Sequence, residues 1–211
     1  MSNQPKKSYT ELFKHDNKFI CISGIIGAGK STLTKNLSTE LKYEPFFEPV
    51  KQNEYLEKFY KDMHKYGFSM QIYLLNKRFH DHQRAIWSNK NVIQDRSIYE
   101  DVIFAKMLYE SKHISELDFK TYRDTFLNMT NFLHRPDLIV YLDVKPKIAL
   151  ERVRKRGREC EKSLSLEYLT SLKEGYEEWL EYMEKRIKII RIDYNEFLTT
   201  EQVKKIIEEN V

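Results

Sequence analysis

The chain has 211 residues, of which 41% are hydrophobic and 32% charged, with a formal net charge of +4. That length supports one well-cored domain, and so slight a positive excess does not by itself make a nucleic-acid-binding surface. No apolar run approaches the roughly 20 residues that span a bilayer, and the first 17 residues lack the apolar core of a secretory signal, so a cytoplasmic chain without membrane association is expected.

Cys21 in an apolar run and Cys160 in a charged loop suggest no disulfide framework and agree with a reducing compartment. Residues 1–17 read as a flexible segment ahead of a single domain over 18–211. Five short apolar runs, at 18–23, 45–48, 92–95, 138–144 and 188–193, predict strands. Amphipathic stretches at 30–41, 55–87, 98–111, 116–133, 148–155 and 164–186 predict helices between them, and 201–209 closes the chain. Gly67 is expected to divide 55–87 into two helices, and Pro136 and Pro146 punctuate the fourth strand. Strands alternating with helices predict an α/β fold with a parallel sheet covered on both faces, its functional loops at the carboxyl ends of the strands.

The segment Gly24-Ile25-Ile26-Gly27-Ala28-Gly29-Lys30-Ser31, followed by Thr32, fits the phosphate-loop pattern G-x-x-x-x-G-K-[ST] at every fixed position. A strand precedes it and a helix follows, which is the context the motif needs. Its glycines let successive N–H groups face phosphate oxygens, with the positive end of the following helix behind them. Lys30 is then expected to reach the outer phosphates of a nucleoside triphosphate, and Ser31 to ligate magnesium. Glu48 ends the second strand, and Asp95 with Arg96 ends the third, both at the edge that carries the phosphate loop. Carboxylates beside a bound triphosphate can take the proton of an attacking hydroxyl or hold a metal, so Glu48 is assigned as base and Asp95 to the metal. Read singly, Glu48 is an ordinary strand-end acid and Asp95–Arg96 a structural ion pair. The run from Arg152 to Arg158 holds five cations in seven positions. Arg152 and Arg156, at i and i+4, share a helical face and are expected to reach one transferring phosphate, with Gly157 as a hinge. Alone, such a run is a solvated face or a nucleic-acid patch.

Taken together and in order, GIIGAGKST, FEPV, the segment from Tyr60 to Gln71, DRSIYED, RVRKRGRECE and IDYNEF resemble the deoxynucleoside kinases of the deoxycytidine, deoxyguanosine and deoxyadenosine kinase type. The resemblance covers nearly the whole chain. It implies a P-loop kinase fold with a five-stranded parallel sheet, an arginine-rich lid over about 152–163, and a homodimer. It also implies Mg2+-dependent transfer of the γ-phosphoryl group of ATP, or another triphosphate, to the 5′-hydroxyl of a deoxyribonucleoside.

By the same resemblance Glu48 accepts the hydroxyl proton, Arg96 bridges Glu48 and the 5′ end, and Tyr60 bonds the sugar 3′-hydroxyl. Gln71 bonds the base edge, while Phe47, Phe59, Met70 and Phe104 form an apolar slot around the base. Arg152, Arg156 and Arg158 surround the phosphates, Glu161 approaches the sugar, and Asn195, Glu196 and Phe197 contact the donor's base. Arg78 and Asp101 match a pair near the exocyclic groups in relatives that take purines or cytosine, which favours those bases over thymine. The family's frequent Trp after Glu-Pro-Val is absent, since this chain reads Lys51-Gln52-Asn53. The spacing from Ser97 to Phe104 is one residue shorter than in the mammalian enzymes, so Asp101 is open to a rotated placement. A monophosphate kinase, such as a thymidylate kinase, and a catalytically silent subunit are the rival readings. A GTPase is disfavoured because no N-K-x-D signature occurs.

Overall fold

The computed structural model describes residues 17–48 and 53–210. The segment read as flexible, 1–17, therefore falls outside the described residues apart from Asn17, and so do Pro49 to Gln52. Five strands form one sheet: β1 (Phe19–Ser23), β2 (Glu44–Phe46), β3 (Val92–Asp95), β4 (Leu138–Asp143) and β5 (Ile189–Asp193). Their order is β2-β3-β1-β4-β5, and every pairing is parallel. β1 is central, with Ile20 opposite both Ile93 and Leu138. Its five residues are all buried, four of them an apolar run that suits a central strand with helices on both faces. Ile20, Ile22, Leu138 and Val140 have no exposed surface, and burial of each such side chain contributes about 1.5–3 kcal/mol.

The helices follow the sequence pattern with instructive differences. α1 (Lys30–Leu41) matches the expected span and ends where Lys42 turns left-handed, its N–H bonding Ser38 and Thr39 carbonyls. The next stretch divides into α2 (Leu56–Lys61) and α3 (Met63–Trp87), and the break lies at Asp62 rather than at Gly67. Asp62 leaves helical geometry (φ −152°, ψ 88°) and caps α3 through the Lys65 N–H. Gly67 instead lies within α3, where a β-carbon would meet Ile114 Cγ2 at 3.0 Å; the glycine lets the 113–114 segment pack closely, and it breaks nothing. A 3-10 turn, Ile98–Glu100, leads into α4 (Asp101–Glu110), and Ser97 and Glu100 form a capping box. α5 (Glu116–Thr130) starts at the Ser115 cap and ends three residues before the expected limit of 133.

α6 (Pro146–Arg156) starts two residues before the expected 148, because Pro146 fits the first helical turn, where its missing N–H costs nothing. It stops at Gly157, which adopts φ 71°. A second 3-10 turn, Glu159–Glu161, follows, then α7 (Leu166–Met183) and α8 (Thr200–Glu208). The strand order switches at β1, where the chain passes from the β2–β3 half of the sheet to the β4–β5 half. The crevice at the carboxyl ends of β1, β3 and β4 therefore opens beside the phosphate loop.

Candidate active site

The phosphate loop is a glycine-built turn. Gly24, Gly27 and Gly29 adopt φ values of 144°, 85° and 100°. A β-carbon at Gly27 would come within 2.4 Å of the Ala149 carbonyl, so the loop is pressed onto α6 where only a glycine fits. Lys30 is buried, and its ammonium donates to the Gly24 and Ile25 carbonyls at 2.9 and 2.8 Å. Burial, with the Arg96 cation nearby, lowers its pKa to about 7. An anion in the loop offers this ammonium stronger acceptors than two neutral carbonyls.

At the end of β2, Glu48 is held between two arginines. Its Oε1 accepts from Arg78 Nη2 at 2.5 Å and its Oε2 from Arg96 Nε at 3.3 Å. Burial works against the charge, but the two guanidinium groups and Lys30 outweigh it and hold the pKa at about 2. Arg78 is also ion-paired with Asp101, which is fully buried behind it, so the expected Arg78–Asp101 pair forms despite the shortened spacing. Asp101 does not itself line the cavity.

Arg96 occupies the left-handed region (φ 70°), an uncommon conformation for a side-chain-bearing residue, and its guanidinium is the hub of the site. Nη1 donates to the Gly24 carbonyl at 3.2 Å, to Glu100 at 3.1 Å and to Tyr176 Oη at 2.6 Å. Its face lies 4.9 Å from the Phe104 ring centroid.

Ser31 Oγ donates to Asp95 Oδ2 at 2.5 Å. Burial and the neighbouring Glu48 raise the Asp95 pKa. Its other oxygen, Oδ1, is buried without a hydrogen-bond partner. A hydroxyl and an under-satisfied carboxylate are hard oxygen donors and fit Mg2+, which keeps waters and phosphate oxygens as its remaining ligands. No cage of three or more His, Cys, Asp or Glu side chains occurs among the described residues, and a magnesium ion carried on phosphates does not need one.

A cavity of about 220 Å³ joins these groups. One end is formed by Gly27, Gly29, Lys30, Ser31 and Thr32, the other by Phe59, Tyr60, Met70 and Gln71, with Glu48 and Arg96 also on its wall. Gln71 is buried and its Oε1 has no partner, leaving an acceptor for a ligand. Arg156, Arg158 and Glu161 close the rim, both arginines being ion-paired to the Glu161 carboxylate. Two expectations fail here. Phe47 is 44% exposed and does not line the cavity, because alternation along the strand end turns it away from Phe46 and Glu48. Arg152 does not share a target with Arg156. Its guanidinium is taken by the carbonyls of Ala28, Tyr194 and Asn195 and lies 4.0 Å from the Phe197 ring.

That contact ties α6 to the loop after β5. Asn195 accepts from the Lys145 N–H and donates to Asp193, while Glu196 and Phe197 face solvent. Sequence reasoning missed Asn53, Leu56, Leu74 and Tyr168 on the cavity wall, and Glu100 and Tyr176 behind it. Of these only Glu100 left a trace, as the acid of a Ser-x-x-Glu capping pattern, and that pattern says nothing of Arg96.

Residues 20–211 match the deoxynucleoside kinase family model. A deoxyadenosine kinase of Dictyostelium discoideum is 50% identical over 188 residues, covering 89% of this chain and 77% of that protein. A deoxyadenosine/deoxycytidine kinase of Bacillus subtilis is 40% identical over 167 residues, covering 78% and 77%. The solved structure of the M. mycoides deoxyadenosine kinase with bound dATP superposes with a TM-score of 0.81 at 36% identity, covering 90% of this chain and 97% of that one. With a glycine-built anion cradle opening into the same cavity as Glu48 and Gln71, the chain belongs to the deoxynucleoside kinase family and is a phosphotransferase.

Proposed function

We propose that the enzyme transfers the γ-phosphoryl group of ATP to the 5′-hydroxyl of a deoxyribonucleoside, with a purine or cytosine base preferred to thymine. The observation that carries this reading is one continuous cavity lined by Lys30 and Ser31 at one end, Glu48 and Arg96 midway, and Tyr60, Met70 and Gln71 at the other. The phosphates occupy the loop and the base lies against Phe59, Met70 and Phe104. Gln71 takes the base edge, and Tyr60 with Glu161 takes the sugar. The deoxyribose 5′ carbon then points at Glu48. The two arginines keep this carboxylate ionised, so it orients the hydroxyl and takes its proton as the new P–O bond forms, a late transfer that suits a loose transition state.

Ser31 and Asp95 would hold Mg2+, which supplies charge neutralisation on the phosphate oxygens. Lys30, Arg96 and, in a lid over about 152–163, Arg156 and Arg158 stabilise the charge that develops on the transferring group. Arg152, Asn195, Glu196 and Phe197 receive the donor's base.

The base preference is supported by Arg78, a cation on the cavity wall held in place by the buried Asp101, and by the named specificities of the relatives. Transfer to a nucleoside monophosphate is disfavoured because Glu48 stands at the acceptor end and repels a second anion.

A homodimer and a cytoplasmic location belong to the same reading. Exposed Leu127 and Phe132 adjoin a groove that includes Phe79 and Met129, which suits a second copy of the chain. Both cysteines are free, and among the described residues no helix is long and apolar enough to cross a membrane.

The test is a panel of the four deoxynucleosides and their 5′-monophosphates with ATP and magnesium. The expected product is the 5′-monophosphate, with kcat/KM for at least one of deoxyadenosine, deoxyguanosine and deoxycytidine about tenfold or more above that for thymidine. Preferential use of thymidine overturns the base assignment, and phosphorylation of the monophosphates overturns the acceptor.

A further inference from the structure

Behind the cavity lies a carboxylate that the reaction as described does not use. Glu100 has no exposed surface. Its Oε1 accepts from the Ser97 N–H at 2.6 Å, and its Oε2 from Ser23 Oγ at 2.9 Å, from Arg96 Nη1 at 3.1 Å and from the Tyr176 hydroxyl. Tyr176 in turn accepts from Arg96 Nη1 at 2.6 Å. Its ring is fully buried among Phe104, Tyr141 and Trp179. The Trp179 indole N–H is fixed on the Tyr99 carbonyl at 2.7 Å. A buried charge with this many donors is rigid, because moving any one partner leaves another unsatisfied.

We propose that Glu100, together with Tyr176, is a positioning residue for Arg96. A guanidinium free to rotate beside a carboxylate settles into a bidentate pair with it. At Glu48, whose Oε1 already accepts from Arg78, such a pair would take the lone pairs left for the acceptor hydroxyl. Glu100 and Tyr176 draw Nη1 to the opposite side, so that Arg96 offers Glu48 only its Nε, and at a long 3.3 Å. The Gly24 carbonyl completes the grip on Nη1 and sets the arginine against the start of the phosphate loop. Ser23, bonded to Glu100, is the last residue of β1 and directly precedes that loop, so one buried acid fixes the donor loop and the acceptor arginine relative to each other. Tyr176 brings α7 into the same network.

This inference rests on the roles proposed above for Glu48 and Arg96, and the experiment separates the two. Glu100→Gln keeps the shape but removes the charge that holds Nη1. In steady-state assays with ATP and the best deoxynucleoside, it is expected to lower kcat about tenfold or more, with both KM values within about threefold, the split that marks a loss confined to the transition state. Tyr176→Phe removes only the hydroxyl and decides the matter if Glu100→Gln does not fold. It should lower kcat about three- to tenfold with the same KM split, consistent with loss of the hydroxyl's two hydrogen bonds to a charged network. Crystals of the folded variant should show Arg96 swung onto Glu48.

Turnover within twofold of wild type in Glu100→Gln, or in Tyr176→Phe where that variant decides, overturns the proposal. So does a slowed variant whose Arg96 has not moved. Glu48→Gln in the same assay tests the underlying reading: full turnover there removes the base assignment, whereas full turnover in Glu100→Gln beside a crippled Glu48→Gln removes only the role of Glu100.

Discussion

Arg78 Nη2 lies 2.5 Å from Glu48 Oε1, joining the middle of a 25-residue helix to the end of a three-residue edge strand. The same guanidinium reaches Asp101 through its other nitrogen, so the group proposed to read the base also holds the group proposed to handle the acceptor proton. Base recognition and the chemical step thus share one arginine.

Replacing Glu48 with Gln keeps the size and one acceptor but removes the proton sink. Turnover is expected to fall roughly 100-fold or more with little change in deoxynucleoside affinity, as for loss of a general base. Single-turnover kinetics combined with equilibrium binding of the nucleoside check this, and near-normal turnover removes Glu48 from the mechanism.

Asp101→Ala leaves Arg78 buried with only Glu48 to pair it. A buried pair broken on one side costs about 3–5 kcal/mol, whereas replacing both members with apolar residues is often neutral. The expected result is a large loss of stability in Asp101→Ala, most of it recovered in Arg78→Met/Asp101→Val, whose preference over thymidine should also narrow. Urea unfolding and the nucleoside panel measure both effects. A double variant as unstable as the single one argues against the pair.

Arg152 stacks on Phe197 and binds the carbonyls of Tyr194 and Asn195, away from the acceptor. Arg152→Met should therefore raise the KM for ATP about tenfold, within the range of a lost cation–π contact and its bonds, while leaving the deoxynucleoside KM unchanged. A rise in the nucleoside KM instead would place this arginine with Arg156 after all.

His82 is fully buried, with its Nε2 2.7 Å from the His134 carbonyl and its ring against Phe19 and Tyr99. Burial lowers its pKa from 6.5 to about 4. Below pH 6.5 the unfolded chain takes up a proton that the folded chain refuses, so stability is full above that pH and falls as pH drops toward 4. The loss over this window is about 3 kcal/mol, and His82→Phe should flatten it. Glu48 acts lower: its depressed pKa stabilises the fold above its ordinary value of 4.5, and that contribution is lost as pH falls toward 2. Chemical denaturation at a series of pH values separates the two windows.

What the sequence determined by itself is what a few neighbouring residues can enforce. Glycines that tolerate positive φ, followed by Lys30 and Ser31, dictate the phosphate loop within eight positions. Apolar runs and amphipathic periods dictate the parallel sheet and nearly all its helices. The ordered motifs named Glu48, Arg96 and Gln71, which line one cavity, and Asp95, which bonds Ser31 at its edge. Even the local misreading at Gly67 has a nonlocal cause, since that glycine answers to Ile114 and not to its own helix.

Beyond the expected Arg78–Asp101 and Arg96–Glu48 pairs, tertiary structure alone decided which charges meet. Arg96 and Tyr176 are 80 residues apart and bond through a hydroxyl that no motif marks. Arg152 left the face it shares with Arg156 because three carbonyls and an aromatic ring from other segments offered it more. Backbone sterics act over a turn or a strand and can be read along the chain. The partner of a buried charge depends on which elements the sheet order brings together, because desolvation makes the nearest complementary group decisive wherever it lies in the sequence.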